Sequence, residues 1–212
     1  GAIEEVEAAF DEMEDDEDIS GPTFWKLTAR ATKRGKKTMK VQWKKVPEAD
    51  GYLIYGNYCN NHGKRYKLKK LKTIKNVNKL YWTHKKLKKA RYYKYVVAAY
   101  KEVDGQKKII AVSKNVHATT LGHKYTIAKA VKVNKTSVKL AKGKRFLIKA
   151  SEIKDEKNKK ISHHRNICYE SDNKKVAKVS RKGSIKAVGE GTCHIYVYAQ
   201  NGLYKKVKVT VK

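Results

Sequence analysis

The chain has 212 residues with 51 Lys and Arg against 20 Asp and Glu, a formal net charge of +31 at pH 7, and three cysteines. That length accommodates one or two domains. No apolar run approaches the roughly 18 residues of a membrane-spanning helix, and three cysteines are too few for a disulfide-built scaffold.

The charge is divided unevenly, because residues 1–20 contain ten of the twenty acids and no Lys or Arg. A short acidic arm therefore precedes a strongly basic body. In the arm Ile3, Val6, Phe10 and Met13 recur at helical spacing, which predicts an amphipathic helix wherever the stripe has something to pack on. Alone such a helix is marginal, so two readings stand. The arm (1–25) is a solvated tail, or it folds back on the basic body or a neighbouring chain and masks charge, with Phe24 and Trp25 pinning the junction just past Gly21-Pro22. No leader segment is visible and Gly1 reads as a cloning scar, so a fragment of a larger precursor is expected.

From Lys26 the pattern changes to strands. Met39, Val41 and Trp43 share one parity, Pro47–Gly51 is a turn, Tyr52 and Ile54 alternate with Leu53 and Tyr55, and Tyr93, Tyr95, Val97 and Ala99 share a face before the Asp104-Gly105 hairpin turn. Regular strands without a strong helix predict an all-β sandwich. The Trp43 position, the segment EADGYLIY, and Leu87 six residues before Tyr93 in a Tyr-x-Tyr-x-Val-x-Ala strand resemble the fibronectin type III domain over roughly residues 26–120. The resemblance implies structural roles for Trp43, Leu87 and Tyr93, with the Tyr93 hydroxyl tied back to upstream backbone. The segment 57–72 departs from the family pattern as a lengthened loop. His117–Lys124 joins the halves, with 121–124 as the linker proper, short enough to restrict interdomain motion without abolishing it.

The stretch Ile167–Ala199 reads as four short strands. Val176, Ala177 and Val179 lead to a turn at Gly183, Ile185 and Ala187 return, and Cys193, Ile195, Val197 and Ala199 oppose Thr192, His194, Tyr196 and Tyr198. Asn201-Gly202 then marks a hairpin, and Val207, Val209 and Val211 alternate with polar residues. An aromatic at Tyr169, then Ser-x-Asn, VAKVS, a Gly turn, IKAV and GTCHIYV resembles the bacterial Ig-like domain of group 2 over 125–212, with Tyr169 and Ile195 as core positions. The fold class expected is thus all-β: two tandem immunoglobulin-like β-sandwiches with a short acidic N-terminal arm.

Catalytic motifs are missing: no HExxH, GxSxG, P-loop or paired CxxC occurs. The reading is of a non-enzyme with no cofactor and no metal. Cys168 and Cys193 are the only same-domain pair, but opposite parities favour free thiols, as for Cys59. His163 and His164 point to opposite faces of an extended segment and read as a solvated loop. Glu152, Asp155 and Glu156 are crowded by lysines that oppose calcium.

Lysine is the remaining signal, outnumbering arginine 44 to 7. Part of it protects sheet edges, but a field of this size attracts polyanions, and scarce arginine disfavours sequence-specific nucleic-acid recognition. Lys94 is among the outward lysines. Lys186, Tyr196, Tyr198 and Lys208 form a candidate ligand face, the tyrosines either stacking on sugars or packing across strands. Together with the surface-protein resemblance this implies an extracellular or cell-surface module of a bacterium, of Gram-positive type, adhering to acidic cell-wall or host glycans in a salt-sensitive way. The alternatives are a passive stalk presenting another domain and an accessory module of a secreted carbohydrate-active enzyme.

Overall fold

The computed structural model describes residues 1–21 and 23–212; Pro22, part of the expected arm junction, lies outside them. Helix α1 (Ile3–Glu12) is followed by a 3-10 turn at Phe24–Lys26 and then by strands to the end of the chain. The first sandwich contains β1 (Ala29–Arg34), β2 (Met39–Trp43), β3 (Gly51–Tyr58), β4 (Lys69–Ile74), β5 (Tyr81–His84), β6 (Tyr92–Val103), β7 (Gln106–Val112) and β8 (Val116–Thr119). One sheet runs β1-β2-β5 and the other β4-β3-β6-β7, with β8 also paired to β6. Each sheet turns one face inward, so Ala31, Met39, Val41 and Trp43 meet Tyr52, Ile54, Tyr95 and Val97 in one buried cluster. Trp43 packs on Tyr52 with ring centroids 5.4 Å apart.

Tyr93 and Leu87 are buried in the same cluster, and the Tyr93 hydroxyl accepts the Lys88 backbone N–H at 2.8 Å. Tyr93→Phe would leave that N–H without its acceptor, so a loss of about 1 kcal/mol is expected in urea unfolding. A full-stability result would show that water replaces the hydroxyl.

Strand β6 is buried on both faces from Tyr92 to Tyr100. The second face belongs to a separate cluster in which Phe10 packs with Leu53, Tyr55, Val96, Ala98 and Tyr100, flanked by Ile3, Val6, Met13 and Ile19. Phe10 meets Tyr55 edge-on at 4.9 Å, and the Tyr55 hydroxyl donates to Glu7 at 2.6 Å. The arm lies on the outer face of the β4-β3-β6-β7 sheet. A helix too short to hold itself together finds there the apolar partner it needs.

The second sandwich comprises β9 (Tyr125–Thr126), β10 (Ala128–Val133), β11 (Ser137–Leu140), β12 (Arg145–Leu147), β13 (Ala150–Lys154), β14 (Lys160–Ile161), β15 (Cys168–Ser171), β16 (Ala177–Val179), β17 (Ser184–Ala187), β18 (Gly191–Tyr198) and β19 (Tyr204–Val211). Its main sheet is β11-β19-β18-β15, with β11 parallel to β19, and it faces the sheet β12-β17-β16. The core between them holds Val138, Ile148, Ile185, Ile195, Val197, Val207 and Val209, with Tyr169 and Phe146 at its margin.

All three cysteines are free. Cys168 sits opposite Tyr198, five positions along β18 from Cys193. At about 3.4 Å per residue that separation is beyond any disulfide.

Candidate functional site

The two sandwiches meet over a polar, largely buried junction, with residues 121–124 forming a turn between β8 and β9. His117, read from the sequence as the start of the connection, is fully buried in β8, and its N–H donates to Gln200 O at 2.8 Å. The β18–β19 hairpin reaches back across the seam. Asn201 O accepts the Ala31 N–H at 2.9 Å, Asn201 Nδ2 donates to Ala128 O at 2.8 Å, and a Cβ on Gly202 would lie 1.9 Å from Ala29 O. On the same seam the Arg34 side chain, 2% exposed, donates to Thr119 O, Thr126 Oγ1, Asp155 and Glu156 between 2.9 and 3.2 Å. Asp155 and Glu156 therefore serve an arginine.

The arm supplies the remaining charges. Asp18 accepts from both Arg165 guanidinium nitrogens at 2.8 and 2.7 Å, from Lys114 Nζ at 2.8 Å and from the Asn115 N–H at 2.8 Å. Burial pushes its carboxyl up, but the two cations outweigh this and hold it at about 2. Asp15 takes Lys94 Nζ at 2.6 Å on one oxygen and the Asn60 N–H at 2.6 Å on the other. Lys94 is thus an inward, paired lysine, 3% exposed, and not one of the outward row. The sequence pattern misplaces it because both faces of β6 are covered.

Beside Asp15 lie Cys59, His117 and His164. Cys59 Sγ is 3.4 Å from His117 Nδ1, which is 2.8 Å from His164 Nδ1. Burial pushes the Cys59 thiol well up and the His117 imidazole well down, so both are neutral there. His163, by contrast, is exposed against Glu152. The adjacent histidines do point to opposite sides, but only His163 is a solvated loop residue.

The candidate ligand face is divided. Lys186 is exposed on the outer face of β17, while Lys208 is exposed on β19 of the facing sheet, so they stand on opposite sides of the sandwich. Tyr198 is 2% exposed; its hydroxyl donates to Glu170 at 2.8 Å, whose other oxygen accepts the Phe24 N–H, and Lys114 lies over both the Tyr198 and Phe24 rings. Tyr196 stacks between Tyr198 and Tyr204. Neither tyrosine is free to stack on a sugar: the arm junction covers one and its neighbours cover the other.

What does reach solvent is cross-strand rows of like charge. Lys186 stands directly opposite Arg145 on one side and Lys178 on the other, Lys33 opposite Lys40, and Lys101 opposite Lys108. Like charges placed directly opposite destabilise a sheet.

Residues 127–211 match the bacterial Ig-like domain (group 2). That Ig-like match coincides with the second sandwich. The chain is also similar to solved fibronectin type III structures: the FN5 domain of Drosophila Lar at 20% identity, covering 44% of this chain and 91% of that one with a TM-score of 0.34, and the fn3 domain of human contactin 1 at 13% identity, covering 43% and 72% with a TM-score of 0.35. A fourth FNIII domain from human is similar at 15% identity, covering 48% and 80% with a TM-score of 0.35. No curated protein matches the chain. Bacterial Ig-like domains are generally non-catalytic modules typical of surface proteins. Among the described residues no helix is long and apolar enough to cross a membrane.

Proposed function

We propose that the chain is a stiff attachment module of a bacterial cell-surface or secreted protein, holding to acidic polymers such as wall teichoic acid or acidic glycans through diffuse, salt-sensitive attraction. The observation that supports this is the set of like-charged cross-strand rows, above all Arg145–Lys186–Lys178. Their mutual repulsion lowers the stability of the free protein and is relieved when a polyanion lies across them. The seam built on Arg34 and Asn201 favours a second role as a spacer, since it holds the two sandwiches in one orientation.

Retention of the full chain on teichoic-acid-bearing walls, sialylated mucin and DNA tests the reading. Binding is expected at about 0.05 M salt and is expected to fade by about 0.3 M, because screening shortens to about 10 Å near 0.1 M. Replacing Arg145, Lys178 and Lys186 together by Gln should weaken retention at the lower salt severalfold. Equal retention of wild type and triple variant would leave the passive stalk as the function, and binding to one polymer that survives the higher salt would point to a shaped site elsewhere.

A further inference from the structure

Four metal-ligating side chains from four separate stretches converge where the arm meets both sandwiches. Asp15 follows α1, Cys59 follows β3, His117 lies in β8 and His164 precedes β15. One carboxylate oxygen, the thiol sulfur and one nitrogen from each imidazole all lie within 4.8 Å of one another, and Cys59 and His117 are buried. We propose that Asp15, Cys59, His117 and His164 form a tetrahedral site for a divalent transition metal of the zinc class, which staples the acidic arm to both sandwiches.

Several observations carry it. The four atoms bring lone pairs to one point, with only a thiol proton and an imidazole proton to share among them, and a cation is what such a convergence accommodates. Ligand atoms around a tetrahedral Zn²⁺ at about 2.0–2.3 Å stand roughly 3.3–3.8 Å apart. The 2.8 and 3.4 Å separations on His117 Nδ1 are close enough that small side-chain shifts suffice. The donor set, one thiolate, two imidazoles and one carboxylate, suits zinc better than magnesium or calcium. Thiolate and carboxylate bring two negative charges and the paired Lys94 one positive, so the cluster is net negative before a divalent ion enters.

The surroundings fix the ligands as well. Lys94 and the Asn60 N–H each hold one Asp15 oxygen, the kind of outer contact that orients a ligating carboxylate. Lys94 remains a donor to Asp15 in the metal-bound state, and the Cys59 proton leaves to solvent as the metal–sulfur bond forms. His117 Nε2 is buried with no hydrogen-bond partner among the described residues. Metal on Nδ1 would set that nitrogen as the protonated one. All four positions are taken by protein, which describes a structural and not a catalytic site. An open pocket lined by Cys59, Asn60, Arg91, Tyr92, His123 and His164 gives an entry path.

Cobalt(II) titration of chelator-treated, reduced full-length protein is the test. One equivalent is expected to give the visible bands of tetrahedral Co²⁺ with a thiolate-to-cobalt band, both displaced by Zn²⁺, and Zn²⁺ is expected to raise the Tm. His164→Ala, on a partly buried loop residue, should keep the far-UV circular dichroism and lower Co²⁺ affinity by about 100-fold or more. Cys59→Ala should remove the thiolate band. His163→Ala should change neither. Absence of a thiolate band in the wild type, or binding that survives His164→Ala but is lost in His163→Ala, would overturn the site.

Discussion

Gly202→Val is expected to be among the most damaging single substitutions in the chain, at about 3–5 kcal/mol. Two penalties combine. Gly202 sits at φ +88°, where a side chain is strained by about 1–3 kcal/mol. The new Cβ would also fall 1.9 Å from the carbonyl oxygen of Ala29 and 2.9 Å from Arg30 Cα. Both are backbone atoms of the other sandwich, so no side chain can swing aside. The hairpin must withdraw, taking the Asn201 contacts to Ala31 and Ala128 with it. Gly105→Val supplies the control, being at φ +77° with nothing within 4 Å of its Cβ. Thermal unfolding should show the control losing only the backbone share. The Gly202 variant should lose more, and small-angle scattering should report a loosened pair of sandwiches. Equal losses in the two variants would mean that the seam yields at no cost.

Asp18→Asn is expected to cost about 3–5 kcal/mol, since it leaves Arg165 buried without its counter-charge. Arg165 is held on Asp18 by two hydrogen bonds, and its side chain is 6% exposed. The pH dependence carries the same signature. Folding lowers the Asp18 pKa from 3.8 to about 2. Its contribution is therefore complete above about pH 4 and is lost as the pH falls through about 2. The shift corresponds to roughly 2 kcal/mol. Urea unfolding from pH 5 to pH 2 should show this loss in wild type and not in Asp18→Asn. Pairing Asp18→Ala with Arg165→Met should recover part of the stability, because the buried Arg165 charge goes with its partner and only Lys114 is left unpaired. A double variant as unstable as the sum of the two singles would refute the coupling.

The all-β class and the Ig-like second half were legible because period-two alternation survives wherever one sheet face is buried, as in Cys193–Ala199 and Val207–Val211. The junction was not. Asp15, Cys59, His117 and His164 are spread over 150 positions of sequence, each inconspicuous in its own neighbourhood. Alternation also fails where both faces are covered, which is why Lys94 reads as outward and Tyr198 as a free aromatic. One sign was present: the near-continuous apolar run Tyr92–Tyr100 requires a second cover. The apolar stripe of the arm, Ile3, Val6, Phe10 and Met13, supplies that cover.

The seam also bears on how the chain is made. A ribosome releases the arm and β1–β8 first, and at that stage the Ala31 N–H on the β1 edge lacks its partner and the Arg34 guanidinium, held by Thr119 O, lacks its others. These arrive only with Asp155, Glu156 and Asn201. The nascent first sandwich thus presents a sticky strand edge while about eighty further residues are translated, and its last ordering step waits for the hairpin at the far end of the second. A fragment ending near residue 120 is therefore expected to be captured by chaperones where the whole chain is not.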